Sequence, residues 1–175
     1  MIAIDDILSA WNRERPDVDV SPMATVGRLS RVAVALDAQL AADYAKWNLD
    51  GGSFDVLFTL LRAGVPHALS PTELAASSMV STAAVAQRLN RLVEAGLVSR
   101  EPNPVDGRGR IVTLTAQGKK LANRALPSHI AAEENFLAAL DATERTQLNA
   151  LLDRLLRGAA PSPVPSATPA PAATS

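Results

Sequence analysis

Apolar residues recur along this chain at helical spacing, interrupted by short polar and glycine-rich stretches that mark the ends of elements. Ile4 to about Arg13 carries the first such run, which stops before the turn-like Arg15-Pro16-Asp17. Ser21-Pro22 opens a long second run, in which Val26, Leu29, Val32, Ala33, Leu36 and Leu40 share one face as far as about Trp47. Asp50-Gly51-Gly52 breaks the pattern, and Ser53 is expected to cap a helix carrying Phe54, Leu57, Phe58 and Leu61 up to Gly64-Val65-Pro66. Ser70-Pro71-Thr72-Glu73 has the marks of a helix start: a Ser cap, Pro at the first helical position, and Glu three residues after the cap. A second short helix begins near Ser81 and ends at Gly96. Two strands follow, Leu97–Glu101 and Arg110–Thr115, joined by a loop rich in Pro, Gly and charge. Thr115 caps a further helix from Ala116 to about Leu140. Asp141-Ala142-Thr143-Glu144 has the cap-and-Glu spacing for the last one, running to about Arg157 with Leu148, Leu151, Leu152, Leu155 and Leu156 in one stripe.

Two short helices, a turn and a β-ribbon tipped by Gly107-Arg108-Gly109-Arg110 form a reading head for nucleic acid. The expected fold is therefore mainly α with a small β-wing, a winged helix-turn-helix. Residues 1–20 form an N-terminal extension helix and 51–115 the DNA-binding head. Residues 21–50 and 116–157 are the helical segments flanking the head, where a dimerisation region is expected. From 158 to 175 the chain is a Pro/Ala-rich tail without charge, which cannot bury enough surface to fold.

Composition narrows the function. Of 175 residues, 47% are apolar, which suits one domain with a real core, and only 3% are aromatic, which leaves that core to Ala, Leu and Val. No apolar run approaches the roughly 18 residues that span a bilayer and no signal peptide is visible, so a cytoplasmic protein without a membrane partner is expected. The absence of Cys excludes disulfides and thiolate metal sites. The net charge of −1 argues weakly against a nucleic-acid partner, but its distribution reverses that. Residues 1–80 carry 6 Lys/Arg against 10 Asp/Glu, whereas residues 81–120 carry 7 against 3. Positive charge is concentrated where phosphate would be met.

On the second helix of the head, about 100° per residue puts Val85, Leu89 and Leu92 on one side, facing the body. Ala83, Gln87, Asn90, Arg91 and Glu94 fall on the other. Gln87 and Asn90 can each form paired hydrogen bonds to adenine, and Arg91 can reach guanine or a phosphate. The small residues Ser81, Thr82 and Ala83 at the helix start allow close approach to a groove wall. In the wing, Arg108 and Arg110 flank Gly109 and suit a narrow, strongly negative minor groove, with Asp106 orienting Arg108 by a salt bridge. The bland alternative is an ordinary solvated face and loop. The apolar stripes of the terminal helices likewise have two readings: packing within the subunit, or interlocking of two subunits that sets two heads at a fixed spacing.

Residues 22–157 resemble the MarR family of winged-helix transcription factors. The matching features are Arg91-Leu92 with Glu94-Ala95-Gly96-Leu97-Val98, the wing triplet Asp106-Gly107-Arg108, and Leu114-Thr115-Ala116-Gln117-Gly118-Lys119. The resemblance implies a homodimer on a palindromic operator, Arg108 in the minor groove, and dimerisation through the terminal helices. The chain departs from the family where a frequent Thr-Arg pair is Ala86-Gln87, and where a usually apolar position is Arg88. Arg88 falls on the flank between the body-facing and DNA-facing sides, where an unpaired charge is costly. Asp55 is a second misplaced charge beside Phe54 and Phe58, and Trp11 is a large aromatic in an N-terminal extension.

Trp11, Asp55 and Arg88 together resemble the urate-responsive branch of the family, as do Trp11-Asn12-Arg13-Glu14-Arg15-Pro16-Asp17 and Pro22-Met23 with Gly27-Arg28-Leu29. That implies a pocket between dimer core and reading head, where Arg88 and Trp11 hold a planar anion and Asp55 is displaced or changes its pairing with Arg88. The alternative is a structural Asp55–Arg88 ion pair with Trp11 covering the core. Other small aromatic or carboxylic ligands are open, as is a winged-helix module that binds protein rather than DNA. Catalysis is not expected: His67 and His129 have no plausible Ser/Asp partner or metal-ligand spacing, and no cofactor is implied.

Overall fold

The computed structural model describes residues 2–78, 82–103 and 109–159, of residues 82–85 the backbone only. In chain order the elements are α1 (Ile4–Glu14), α2 (Pro22–Ala45), α3 (Gly51–Arg62), β1 (Ala68–Leu69), α4 (Pro71–Ser77), α5 (Thr82–Glu94), β2 (Val98–Pro102), β3 (Arg110–Leu114), α6 (Ala116–Phe136) and α7 (Ala142–Ala159). The mainly α fold with a β-wing is what the sequence predicts. The chain divides into two compact units, Met1–Phe136 and a second from Leu137 onward.

Three of the expected caps are formed by the residues read for them. Ser70 Oγ accepts from Glu73 N while the Glu73 carboxylate takes Ser70 N, a reciprocal capping box. Thr115 Oγ1 accepts from Gly118 N at 3.0 Å. In the second unit, Asp141 and Glu144 bond each other's backbone N–H groups at 2.9 Å and open α7. The cap of α3 is different. Asp50, not Ser53, is the capping residue: its Oδ1 accepts Ser53 N at 2.7 Å. Gly51 and Gly52 form the first turn of α3 rather than a break.

Other boundaries move for local reasons. The helix α6 ends at Phe136, short of Leu140, because the 137–140 backbone turns back, Leu140 N donating to Leu137 O. The Arg145 guanidinium also donates to the carbonyls of Leu137 and Leu140. Helix α7 continues to Ala159, past the expected end at Arg157. Of the tail, residues 160–175 lie outside the described residues.

The sheet is antiparallel in the order β1-β3-β2, with Val98 opposite Leu114 and Pro102 opposite Arg110. The two-residue β1, which periodicity alone does not reveal, adds an edge through Ala68–Thr113. Gly118 permits the first turn of α6 to cross the sheet, since a Cβ there would meet Leu97 O at 2.0 Å. Around this frame, Val56, Leu57, Leu60, Leu74, Leu89, Leu92, Leu97, Val98, Val112 and Leu114 form one buried cluster drawn from α3, α4, α5 and the sheet. Each such side chain contributes roughly 1.5–3 kcal/mol on complete burial, as an upper bound.

Below the head, α2, α3 and α6 meet around Tyr44, Phe54, Phe58 and His129, with Phe54 and Phe58 stacked at 3.9 Å between centroids. Three of the six aromatic residues, Tyr44, Phe54 and Phe58, thus meet at one junction, and the buried cluster of the head is left to Leu and Val. Beside them Asp43 is buried and accepts from Ser128 Oγ and from Lys46 Nζ at 3.0 Å. Burial pushes its carboxyl up, but Ser128, Lys46 and the nearby His129 outweigh that and hold it below the ordinary range.

Candidate nucleic-acid interface and effector site

The face of α5 divides as its sequence predicts. Leu89 and Leu92 are buried, while Gln87, Asn90, Arg91 and Glu94 are exposed. Thr82 and Ala83 lie in the first turn of α5, small residues where the helix would approach a groove. Ser81, Asp106 and Arg108 lie outside the described residues. Arg110 is exposed at the start of β3 and lines an open cleft of about 480 Å³ with Asn90, Val93, Glu94 and Arg100. The structure therefore brings Asn90 of the helix and Arg110 of the wing onto one surface.

Arg88 is half-buried on the flank of α5, as its helical angle requires. The structure gives it a carboxylate partner that the sequence reading does not name, Asp50. Arg88 Nε donates to Asp50 Oδ1 at 3.3 Å, and Nη1 to Gln87 Oε1 at 3.1 Å. Arg91 Nη1 reaches the other oxygen of the same carboxylate, Asp50 Oδ2, at 3.2 Å. One carboxylate thus caps α3 and bonds two arginines of α5. Burial pushes the Asp50 carboxyl up, but the Ser53 hydrogen bonds and the Arg88 charge outweigh it and leave it below the ordinary carboxylate range.

Gly52 makes this contact possible: a Cβ there would lie 2.6 Å from Arg88 Nε. The signal for it stands in the sequence as Asp50-Gly51-Gly52, an Asp immediately before two residues without side-chain bulk. Assigning the cap to Ser53 hides it. Asp55 is one turn further along α3 from Gly52, half-buried, and adds to the negative charge that, after burial itself, raises the Tyr44 pKa. Arg91, read as a DNA contact, remains 59% exposed while bonded to Asp50, so its guanidinium can still be approached from outside.

Trp11 stands elsewhere. Helix α1 lies against the first half of α2, where Gly27 admits the Ile4 side chain and Asp5 pairs with Arg28 at 2.7 Å. Ile7 and Leu8 then face Pro22 and Met23, so Trp11, one turn later, sits at the N-terminal end of α2. It is 42% exposed. Asp50, Asp55 and Arg88 surround the other end of that helix, where Tyr44 contacts Gly51 and Phe54. Twenty-one residues separate Met23 from Tyr44, about 30 Å at 1.5 Å of rise per residue. Within one subunit the structure groups Asp55 with Arg88 and leaves Trp11 apart.

The two histidines have structural partners. His67 Nδ1 lies 3.1 Å from Leu61 O at the entry to β1, and His129 pairs with Glu133 amid the aromatic cluster. Among the described residues no group of His, Asp or Glu is arranged to hold a metal ion, and no helix is long and apolar enough to cross a membrane.

Comparisons with known proteins agree with this geometry. A sequence model of the MarR family matches residues 47–109. The HTH-type transcriptional regulator PecS of Dickeya dadantii is 38% identical over 154 residues, covering 88% of this chain and 93% of that protein. A cysteine-to-serine mutant of Escherichia coli MarR, solved with operator DNA, superposes with a TM-score of 0.70 at 28% identity over 79% of this chain and 99% of that one. Bordetella bronchiseptica BpsR, solved in a study of how 6-hydroxynicotinic acid regulates its DNA binding, shares the fold at a TM-score of 0.68 and 24% identity, over 74% of this chain and 91% of that one.

Proposed function

Because this chain belongs to the MarR family of transcriptional regulators, we propose that it acts as a homodimeric repressor whose palindromic operator is released by urate or a related planar anion. The observation that carries the effector reading is Arg88. It projects from the DNA-facing helix toward α3 and is bonded there to a carboxylate. An anion entering beside it competes directly with Asp50, offering the same charge-assisted hydrogen bonds.

On DNA, the exposed face of α5 presents Gln87 and Asn90 to base edges, with Ser81, Thr82 and Ala83 allowing the helix start to approach. Arg91 and Arg110 meet phosphate. Arg108, oriented by Asp106, enters the minor groove. Trp11, Asp55 and Arg88 form the effector set. Indole contact and the guanidinium hold the ligand, and its charge repels Asp55.

The ionic junction supplies a route from effector to operator. Asp50 holds Arg88 and Arg91 through its two oxygens, so a ligand that takes Arg88 from it also alters the hold on Arg91. The ligand then favours one placement of α5 over another, and DNA the other, which makes the two antagonistic by linkage. The 6-hydroxynicotinic acid that regulates BpsR is of the same chemical class, a planar acidic heterocycle.

The test is operator binding on duplex DNA flanking the protein's own gene, titrated with urate. Release of the wild-type protein and its loss in Arg88→Ala are expected. Operator affinity indifferent to urate would reject the effector, and release that persists in Arg88→Ala would reject the route. Binding to duplex DNA that does not weaken with salt would favour the protein-interaction module instead.

A further inference from the structure

Of the 24 residues of α2, all of them described, Asp43 alone is buried. A helix normally buries part of its apolar face, so a carboxylate in that position marks a polar site. Asp43 lines a cleft of about 510 Å³ between α2 and α6. Its two oxygens have different surroundings. Oδ1 accepts from Ser128 Oγ and from Lys46 Nζ, whereas Oδ2 is buried with no hydrogen-bond partner among the described residues. Burial pushes this carboxyl up, but Ser128 and Lys46 outweigh it, so the group is ionised at neutral pH. A bare carboxylate oxygen is costly there, and a further cationic donor offsets that cost.

We propose that this cleft binds a small aliphatic diamine, with one ammonium on Asp43 and the other on the side-chain oxygen of Gln39. Lys46 shows the chemistry that the carboxylate takes. Its Nζ is a primary ammonium 3.0 Å from Oδ1, carried on a side chain that is 65% exposed. Lys46 acts as a tethered lid, and its withdrawal into solvent uncovers Asp43 for a free ammonium of the same kind. Three donors on one nitrogen can serve both oxygens. A divalent metal ion is a poorer occupant. Among the described residues no second carboxylate and no imidazole lines the cleft.

The second contact follows from helix geometry. Gln39 Nε2 donates to Ala132 O at 2.7 Å, which leaves the side-chain oxygen of Gln39 to receive a donor. Gln39 and Asp43 are four residues apart on α2, about 6 Å along the axis. Four methylenes set two nitrogens roughly 6 Å apart, over five bonds of about 1.5 Å in an extended zigzag. Ala42, Ala131 and Ala132 line the same cleft with methyl groups, against which an alkyl chain packs. No lining residue comes from α3 or α5, so the site is separate from Asp50 and Arg88 and stands apart from the urate reading. Asp43 and Gln39 also tie α2 to α6, through Ser128 and the Ala132 carbonyl. Occupancy therefore fastens two helices together and stabilises the fold by mass action.

Isothermal calorimetry of the full chain with putrescine, a four-carbon diamine, tests this. Saturable binding of one diamine per chain is expected, with a melting temperature that climbs as the diamine is added. Lys46→Ala removes the tethered competitor and is expected to tighten binding severalfold. Ala131→Leu puts a larger side chain into the cleft from an exposed position of α6 and should abolish binding. Asp43→Asn should abolish it as well where circular dichroism shows a folded variant, and Ala131→Leu decides the matter where it does not. The uncharged diol of equal length should give no heat of binding. No putrescine binding by the wild-type protein or by Lys46→Ala overturns the proposal. Binding unchanged in Ala131→Leu also overturns it, since the diamine then sits elsewhere on the acidic surface. So does weaker binding in Lys46→Ala, because the diamine would then not be taking the place of the Lys46 ammonium.

Discussion

The head and the α1–α2 arm use their apolar residues in opposite ways. In the head, three helices and the sheet turn their leucines and valines onto one another until Leu57, Leu60, Leu74, Leu89 and Leu92 are sealed from solvent. In the arm, Val26, Leu29, Val32 and Trp11 are at helical spacing too, yet they stay open. The difference lies in neighbours, not in composition. A helix with sheet and helices packed around it completes its own core. Another whose outer face meets no further element of its compact unit presents a surface that a second chain can cover. Polar contacts follow the same division. Asp43, buried between α2 and α6, is held by Ser128 and Lys46, whereas Asp50 at the α3–α5 junction holds two partly exposed arginines that a solute or DNA can reach.

The largest effect should come from the sealed side of this comparison. Leu57→Ala is expected to cost about 2–5 kcal/mol in equilibrium denaturation, because its cavity cannot be refilled from solvent. Next comes the open side. Val32→Asp should leave the thermal transition of the head nearly unchanged while sedimentation shows a monomer. Operator affinity should then fall on the order of a hundredfold, because avidity from two linked half-sites is lost. A large destabilisation by Val32→Asp would erase the distinction between the regions.

Smaller effects sharpen the polar half of the contrast. Asp50→Asn keeps an oxygen for Ser53 N but removes the charge that holds Arg88 and Arg91. Operator affinity without effector should rise severalfold, and its salt dependence should steepen by about one phosphate contact. The pH dependence has a defined sign. The Asp50 carboxyl lies below its unfolded value of about 3.9, so its stabilising contribution is present at neutral pH. That contribution disappears only as acidification passes through the folded value, and acid titration of stability in Asp50→Asn should lack this component. The smallest change in stability is expected for Gly52→Ala, where a gain in helix propensity of about 1 kcal/mol is offset by displacement of Arg88. Its signature is functional: urate titrations of operator release should shift to higher concentration with little change in melting temperature.

Much of this is legible in the residues. Caps at Ser70, Thr115 and Asp141, the order of the helices and the two faces of α5 follow from local rules, because each depends on groups within four residues of one another. The family resemblance rests on short segments of the same kind, such as Glu94-Ala95-Gly96-Leu97-Val98 and Thr115-Ala116-Gln117-Gly118. Where two local rules compete, pattern alone picks the wrong residue. Ser53 and Asp50 are both good caps; Asp50 takes the role, and its carboxylate also receives Arg88, thirty-eight residues away. The strand β1 has too few residues for a period and exists because Thr113 and Val112 offer it an edge.

A winged helix-turn-helix with a basic reading face thus follows from the residues alone, as does the need of Arg88 for a partner. That the partner is Asp50, that Arg91 shares it, and that Trp11 lies a full helix length from both are consequences of packing. Local patterns specify which way a side chain leaves its own helix. What it meets there depends on how distant elements pack, and α2 acts as a rigid rod that holds apart two residues a sequence-based reading places together.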